Sequence, residues 1–394
     1  MELGWLCSSA VWLLLLCSLA VKLLRSDLLL TPRLLLHVGL LLLLLLLLPP
    51  LQGLGCICLP LPLSAALTSM ACWLILAGAT RRKRIPAPGK AVFITGCDSG
   101  FGKAAAHHLD TLGFTVYASV LDLKSPGAEE LQRSCSPNLT LLEMDLTKAE
   151  DIQRVLHFIK AQTVRTGLWG LVNNAGLNDI LADAELTPLQ SFRTCMEVNF
   201  FGPLALTKGL LPLLRSSQGR IVTVSSPAGN MPYPCLAGYG TSKAALNLLM
   251  DTFRCELASW GIQVSVIFPG CFKTGSTYNP DYWKERKDQL LAALGPDLLE
   301  AYGEEYMEEN HKQFLKFMKL AVDDLDSVVE SITDGLLSTQ PLAKYYRGRG
   351  VGLMYFIHHY LPNTARDLFL KAFFIHPQLP RGLQLKTCDT PQEQ

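Results

Sequence analysis

Tyr239 and Lys243 stand four residues apart, and Ser226 precedes the tyrosine by thirteen. On a helix, positions i and i+4 share a face, so the lysine ammonium can sit beneath the phenol ring and favour its anion. A free tyrosine titrates near about 10, and each unit of downward shift takes roughly 1.4 kcal/mol of preferential stabilisation of the charged form. One lysine is not expected to supply the whole shift, so a second positive charge is needed nearby. The three residues suit proton removal from an alcohol, with Ser226 donating to, or accepting from, the oxygen of a secondary alcohol or ketone held against Tyr239. Ser225 is a competing serine, and only the interval to the tyrosine selects Ser226.

An oxidised nicotinamide carries such a charge, which directs attention upstream to a dinucleotide site. Ala91 to Thr95 reads as a short buried strand running into Gly96-Cys-Asp-Ser-Gly100-Phe-Gly102, followed by a helical stretch from Lys103 to Leu112. Glycines there let the backbone turn tightly and the phosphates approach, while the helix N-terminus offers unpaired N–H groups to the anion. The spacing Gly-x-x-x-Gly-x-Gly differs from the commoner Gly-x-Gly-x-x-Gly and is a weak signal alone. Asp122 lies about 20 residues past Gly102, at the end of the second strand, where a carboxylate can accept from ribose hydroxyls and repel a 2′-phosphate. Asp122 therefore favours NAD over NADP, and Ser99 and Leu123 stand where NADP sites would offer a basic residue.

Thr95-Gly-x-x-x-Gly-x-Gly102, Asn173-Asn-Ala-Gly176, Asn199, Ser226, Tyr239-x-x-x-Lys243 and Pro269-Gly-x-x-x-Thr274 follow the order and intervals of the short-chain dehydrogenase/reductases. The stretch from Pro88 to Tyr346 resembles that family. The resemblance implies a Rossmann-like, doubly wound parallel α/β sheet and a cofactor held by Thr95, Gly96, Asp98, Ser99, Gly100, Phe101 and Gly102. It adds Asp145 at the adenine amino group, Asn173, Ala175 and Gly176 lining the cleft, Pro269 and Gly270 beside it, and Thr274 at the nicotinamide carboxamide, with Tyr239 and Lys243 completing the set. Plainer roles stand beside these: a helix cap for Asp145 or Thr274, and a simple turn at Asn173 to Gly176. In the oxidative direction tyrosinate takes the hydroxyl proton as hydride leaves for the nicotinamide.

Asn199 matches the family asparagine that holds a relay water in a kinked helix. Pro203, four residues on, has no N–H for the Asn199 carbonyl, which could instead hold that water, though Pro203 could equally be a tolerated kink. The segment Thr-Gly-Cys-Asp-Ser-Gly-Phe-Gly is similar to that of membrane-bound steroid and retinol dehydrogenases. Met196 to Gly202 and Ser226 to Cys235 are similar to enzymes that oxidise the 11-beta-hydroxyl of glucocorticoids such as cortisol or corticosterone to the ketone. Two rivals stand against that expectation: a retinol or other hydroxysteroid dehydrogenase, and a catalytically silent membrane ligand-binding or scaffold protein. The complete set of Asn199, Ser226, Tyr239 and Lys243 argues against silence.

These residues must be positioned by a sheet. Apolar runs at Ala91 to Thr95, Thr115 to Leu121, Leu139 to Met144, Leu168 to Asn173, Arg220 to Ser225 and Ile262 to Phe268 alternate with helical patterns, as in a parallel sheet covered on both faces. A catalytic domain is expected over 91–346, with 274–323 covering the cleft. Tyr278, Tyr282, Trp283, Leu291 and Tyr306 in that cover suit a large apolar ligand or ordinary helix packing. Pro227 and Tyr233 are better placed to touch substrate. The apolar stretch 347–386 could rest on the membrane surface or close a homodimer, and 387–394 is expected to be disordered.

The 394 residues carry a net charge of +1, with no basic excess to suggest nucleic acid. Residues 1–80 read as a membrane anchor, with about three crossings at Leu6 to Val21, Leu34 to Leu48 and Leu61 to Ala79. Two crossings with an interfacial hairpin is the alternative. Lys22, Arg25 and Arg33, together with Arg81 to Arg84, put those flanks in the cytoplasm by the positive-inside rule, so the catalytic domain faces the cytoplasm. A basic and proline-bearing linker spans 81–90. Resemblance implies the endoplasmic reticulum membrane. The twelve cysteines show no Cys-x-x-Cys pairing, so neither a metal site nor a disulfide framework is expected. Asn138-Leu-Thr140 matches a glycosylation acceptor that a cytoplasmic domain would never expose to that machinery.

Overall fold

The computed structural model describes residues 83–374 and 379–388. The three anchor segments expected within 1–80 lie outside the described residues, and among the described residues no helix is long and apolar enough to cross a membrane. Among the described residues, 84–348 with 362–374 and 379–388 belong to one compact unit and 349–361 to another.

The larger unit is built on one sheet. Strands β1 (Ala91–Ile94), β2 (Thr115–Val120), β3 (Leu139–Glu143), β4 (Gly170–Asn173), β5 (Arg220–Val224), β6 (Gln263–Pro269) and β7 (Lys344–Arg347) lie in the order 3-2-1-4-5-6-7. Every neighbouring pair is parallel. The six runs read from sequence are all present, each trimmed or shifted by a residue or two at its ends. They are legible because β1, β4 and β5 are buried at every residue, which favours apolar side chains along them, Asn173, Arg220 and Thr223 being the buried polar exceptions. The strand Lys344–Arg347 was not expected; its residues Lys-Tyr-Tyr-Arg carry no apolar run.

Helices α1 (Gly100–Thr111), α2 (Pro126–Ser134), α3 (Ala149–Thr163), α4 (Leu189–Met196), α5 (Gly202–Ser217) and α6 (Ala237–Glu256) make the crossovers. On one face Val92 and Ile94 join Val116, Ala118, Val172 and Val222 in a core with Ala105 and Leu109 of α1. Ile332 and Leu336, from a later helix, close that core. Strand order reverses between β1 and β4, and in open parallel sheets ligands gather in the crevice at the strand ends there.

The segment expected to cover the cleft forms helices α7 (Pro280–Ala293), α8 (Pro296–Tyr302) and α9 (Glu304–Met318). Its two ends meet at a parallel bridge between Phe272 and Val322, reinforced by a Lys273–Asp323 ion pair at 2.6 Å. Trp283 is 1% exposed and packs edge-on against Phe314 at 5.0 Å, and Tyr306 is buried, so for these two the helix-packing role holds. The core-closing helix is α10 (Asp326–Leu337), and α11 (Val351–Tyr360), α12 (Asn363–Phe374) and α13 (Arg381–Cys388) follow. Helix α13 runs two residues into the tail expected to be disordered; 389–394 lie outside the described residues.

Candidate active site

Both Tyr239 and Lys243 lie in the first two turns of α6. Ser226 does not close β5 itself: the strand ends at Val224, and Ser226 opens a short 3-10 turn at Pro227–Gly229 whose Ala228 amide its hydroxyl receives at 3.2 Å. The two serines differ in their partners. The Ser225 hydroxyl is buried against Asn247 Oδ1 at 2.5 Å, whereas that of Ser226 hydrogen-bonds the Tyr239 phenol.

Lys243 by itself was not expected to supply the whole downward shift, and in the chain alone burial raises Tyr239, with the bond to Ser226 opposing that rise only in part. Lys243 Nζ stands 5.9 Å from the Tyr239 ring centre and donates to the Val224 carbonyl at 3.3 Å. Its own burial pushes it down to about 8, so a large share of the lysine would be uncharged near that pH. The physical reason is desolvation: both groups lie in a low-dielectric floor where a single weakened cation does not repay the cost of a buried phenolate.

Asn199 is fully buried in a π-helical turn, Glu197–Phe201, between α4 and α5. Such turns recur at functional sites because they break the regular hydrogen-bond ladder. The amide of Asn199 accepts from Leu177 N at 2.8 Å and donates to Leu177 O at 2.8 Å and to Ser242 Oγ at 2.9 Å. Ser242 in turn donates to the Tyr239 carbonyl at 2.7 Å, so Asn199 is joined to the tyrosine's own helix. Pro203 is the second residue of α5, immediately after the π-turn.

The glycine loop is fastened to the Asn173–Gly176 motif. Thr95 Oγ1 accepts from the amides of Asn174 and Ala175 at 3.0 Å each, and Asn174 Nδ2 donates to the carbonyls of Thr95 and Gly96 at 2.8 and 3.0 Å. Asn174 and Ser242 were missed in the sequence reading. Asn174 could have been found as the unassigned member of its motif; Ser242 gives no signal beyond preceding Lys243. Gly102 cannot carry a side chain, because a Cβ would stand 2.1 Å from the Gly96 carbonyl oxygen. A Cβ on Gly176 would stand 3.0 Å from Lys243 Nζ and 3.3 Å from Asn199 Oδ1, so that glycine is the uncovered floor between the two.

The remaining expected residues fall around this crevice. Ser99 begins α1 but caps it with no side-chain hydrogen bond, which leaves first-turn N–H groups for an anion. Phe101 packs edge-on against Phe272 at 5.3 Å, and the Thr274 side chain stands over Gly100. Pro269 ends β6, and Gly270 N donates to Arg347 O at 2.7 Å. Asp122 is exposed just past β2 with Oδ1 accepting from Lys124 N at 2.8 Å. Asp98 turns its carboxylate to the backbone of Leu121 at 2.8 Å, so it shapes the loop after β2. Asp145 Oδ1 accepts from Thr147 N and Oγ1 in a local turn that precedes α3, whose N-cap is Lys148, so it does not take the helix-cap role weighed for it. Asn173 is buried in β4 and donates to Thr207 Oγ1 at 3.2 Å. Pro227 is buried, and Tyr233 is half-buried with its phenol pushed up by burial. The uncapped helix start, the bare glycines and Asp122 together fit a dinucleotide. Gly102→Ala is therefore expected to weaken dinucleotide binding by about 100-fold or more, read by fluorescence titration, since the loop must open to admit a methyl group.

A parallel crevice with this tyrosine, lysine, serine and asparagine defines an alcohol dehydrogenase, and the chain belongs to the short-chain dehydrogenase family, which it matches over residues 90–285. Among curated proteins it is 64% identical to human 11-beta-hydroxysteroid dehydrogenase type 2 over 301 residues, covering 76% of this chain and 74% of that protein. It is 57% identical to the Bos taurus protein of the same name, over 96% of this chain and 92% of that one. Human 17-beta-hydroxysteroid dehydrogenase type 2 is 40% identical over 85% of this chain and 88% of its own. In fold it is similar to a crystal structure of a short-chain dehydrogenase from Streptomyces avermitilis, with a TM-score of 0.55 at 23% identity, covering 72% of this chain and 96% of that one.

Proposed function

We propose that the chain is a hydroxysteroid dehydrogenase that oxidises the 11-beta-hydroxyl of glucocorticoids to the 11-ketone with NAD. One observation carries the reaction class: the Ser226 hydroxyl bonded to the Tyr239 phenol, above a lysine enclosed in the same floor. The identity of 57–64% to hydroxysteroid dehydrogenases named for the 11-beta position supports the steroid and its position.

Ser226 and Tyr239 would share the substrate oxygen, Ser226 fixing its direction and the phenolate removing its proton as the carbinol carbon is oxidised. The nicotinamide, when bound, supplies the hydride acceptor. The glycine loop, the start of α1 and Thr274 would hold the dinucleotide, and Lys243 would carry the proton onward past Asn199. Asp122 supports NAD, since an exposed carboxylate at the end of β2 pairs with ribose hydroxyls and opposes a 2′-phosphate. The apolar run of 1–80 and the basic cluster Arg81 to Arg84 support anchoring in a bilayer, with the endoplasmic reticulum as the location and the catalytic unit on the cytoplasmic side.

Membranes containing the full chain, given labelled cortisol and either NAD or NADP, test the reading. Conversion to the 11-ketone, faster with NAD, is expected. Oxidation of all-trans-retinol without steroid turnover would replace the steroid assignment, and preference for NADP would overturn the role of Asp122.

A further inference from the structure

The loop between β4 and α4 is tied on almost every side. Asn199 clamps both backbone groups of Leu177, the Tyr282 hydroxyl of α7 donates to the Asn178 carbonyl at 3.1 Å, and Arg286 of α7 pairs with Asp179 at 3.5 Å. Further on, Ala182 N donates to the Cys235 carbonyl at 3.1 Å, Tyr306 hydrogen-bonds Asp183, and the Tyr302 hydroxyl donates to Glu185 at 2.7 Å. Within this stitched loop two buried acceptor atoms receive no hydrogen bond, Asn178 Oδ1 and Asp183 Oδ2. Buried acceptors in folded chains are nearly always paired, so each calls for a donor. Asp183 already has Tyr306 through its other oxygen, and its charge makes it a costly group to cover with an apolar ligand. Asn178 is neutral, and it lies two residues past Gly176, the glycine that faces Lys243 Nζ. Its backbone is held by the cover through Tyr282, which places it at the seam between the catalytic floor and the cover.

We infer that Asn178 is a specificity-determining residue whose Oδ1 accepts a hydrogen bond from a steroid hydroxyl other than the one being oxidised. This rests on the hydroxysteroid dehydrogenase reading. Ser226 and Tyr239 engage the reacting oxygen, so Asn178 serves a second hydroxyl on the same ligand. The group recognised is a hydroxyl because a ketone or a bare methylene would leave the acceptor unpaired. Sites that hydrogen-bond a ligand hydroxyl discriminate against analogues lacking it more sharply than apolar sites discriminate by size.

The test crosses enzyme variants with ligand hydroxyls. Full-length wild type, Asn178→Leu, Asn178→Ala and Asn178→Asp in membranes are assayed on four 11-beta-hydroxysteroids, bearing hydroxyls at both C17 and C21, at either one alone, or at neither. Dinucleotide binding identifies which variants are folded, and Asn178→Ala adds no bulk should leucine misfold. In the variants without an acceptor, KM is expected to rise about tenfold for steroids carrying the recognised hydroxyl and to stay within about twofold for those lacking it, at unchanged kcat. Asn178→Asp, which keeps an acceptor, should retain the preference. An equal change for all four steroids, or none, would mean that the acceptor is paired by water only and would overturn the inference. Wild type that oxidises none of the four would instead bring down the parent reading, and the inference with it.

Discussion

Replacing Tyr239 by phenylalanine is expected to lower steroid kcat/KM by about a thousandfold, with dinucleotide affinity unchanged within about threefold. The substitution removes one oxygen from α6, and the ring remains to fill the same space, so a loss of turnover would belong to the proton transfer alone. The Ser226 hydroxyl would lose its phenol partner and keep the Ala228 amide, so the turn at Pro227–Gly229 should survive. Ser226→Ala makes a useful contrast. It removes the group that orients the substrate oxygen and also the one bond that opposes the upward shift of the phenol, so it should be damaging for two separable reasons. Undiminished ketone formation by folded Tyr239→Phe would end the assignment of Tyr239 as the base.

How much of this was legible before the structure depends on the range of each interaction. Most of β1 to β6 was readable because burial of the central strands favours mainly apolar runs, while β7 was hidden because a polar four-residue strand leaves no such trace. The glycine loop and the Tyr239/Lys243 spacing were readable because their geometry is local. Between Ser225 and Ser226 the sequence offers only the interval to the tyrosine, and the folded chain adds Asn247, 22 residues from Ser225, whose side chain holds the Ser225 hydroxyl. Helical spacing predicts that the lysine faces the ring, and it does at 5.9 Å, but the burial that raises the phenol in the chain alone comes from the surrounding fold and leaves no trace in that spacing. Asn178 carried no signal at all, since an orphaned acceptor exists only once the surrounding loop has folded.

Lys243→Met is expected to pull activity and stability in opposite directions. A lysine pushed from 10.5 to about 8 in the folded chain binds fewer protons there than in the unfolded chain between those two values. Stability therefore rises with pH across that interval, and below about 8 the folded chain bears the full cost of burying the ammonium. That cost is on the order of 3 kcal/mol, and removal of the donor to the Val224 carbonyl returns about 1 kcal/mol of it, so the methionine variant without dinucleotide should gain roughly 2 kcal/mol at pH 7. Denaturation of the full chain in detergent would read this as a higher Tm at pH 7 and a shrinking difference as pH approaches 10. Turnover should move the other way, falling about a hundredfold or more, because the phenol then ionises without its neighbouring cation. In wild type, kcat/KM should climb about tenfold per pH unit on the acid side, since burial holds the phenol above its ordinary value and only the ionised form removes the proton. Methionine should shift that limb to higher pH. A variant that lost stability and activity together would mean that Lys243 is first a structural residue, with its hydrogen bond to β5 outweighing the cost of its burial.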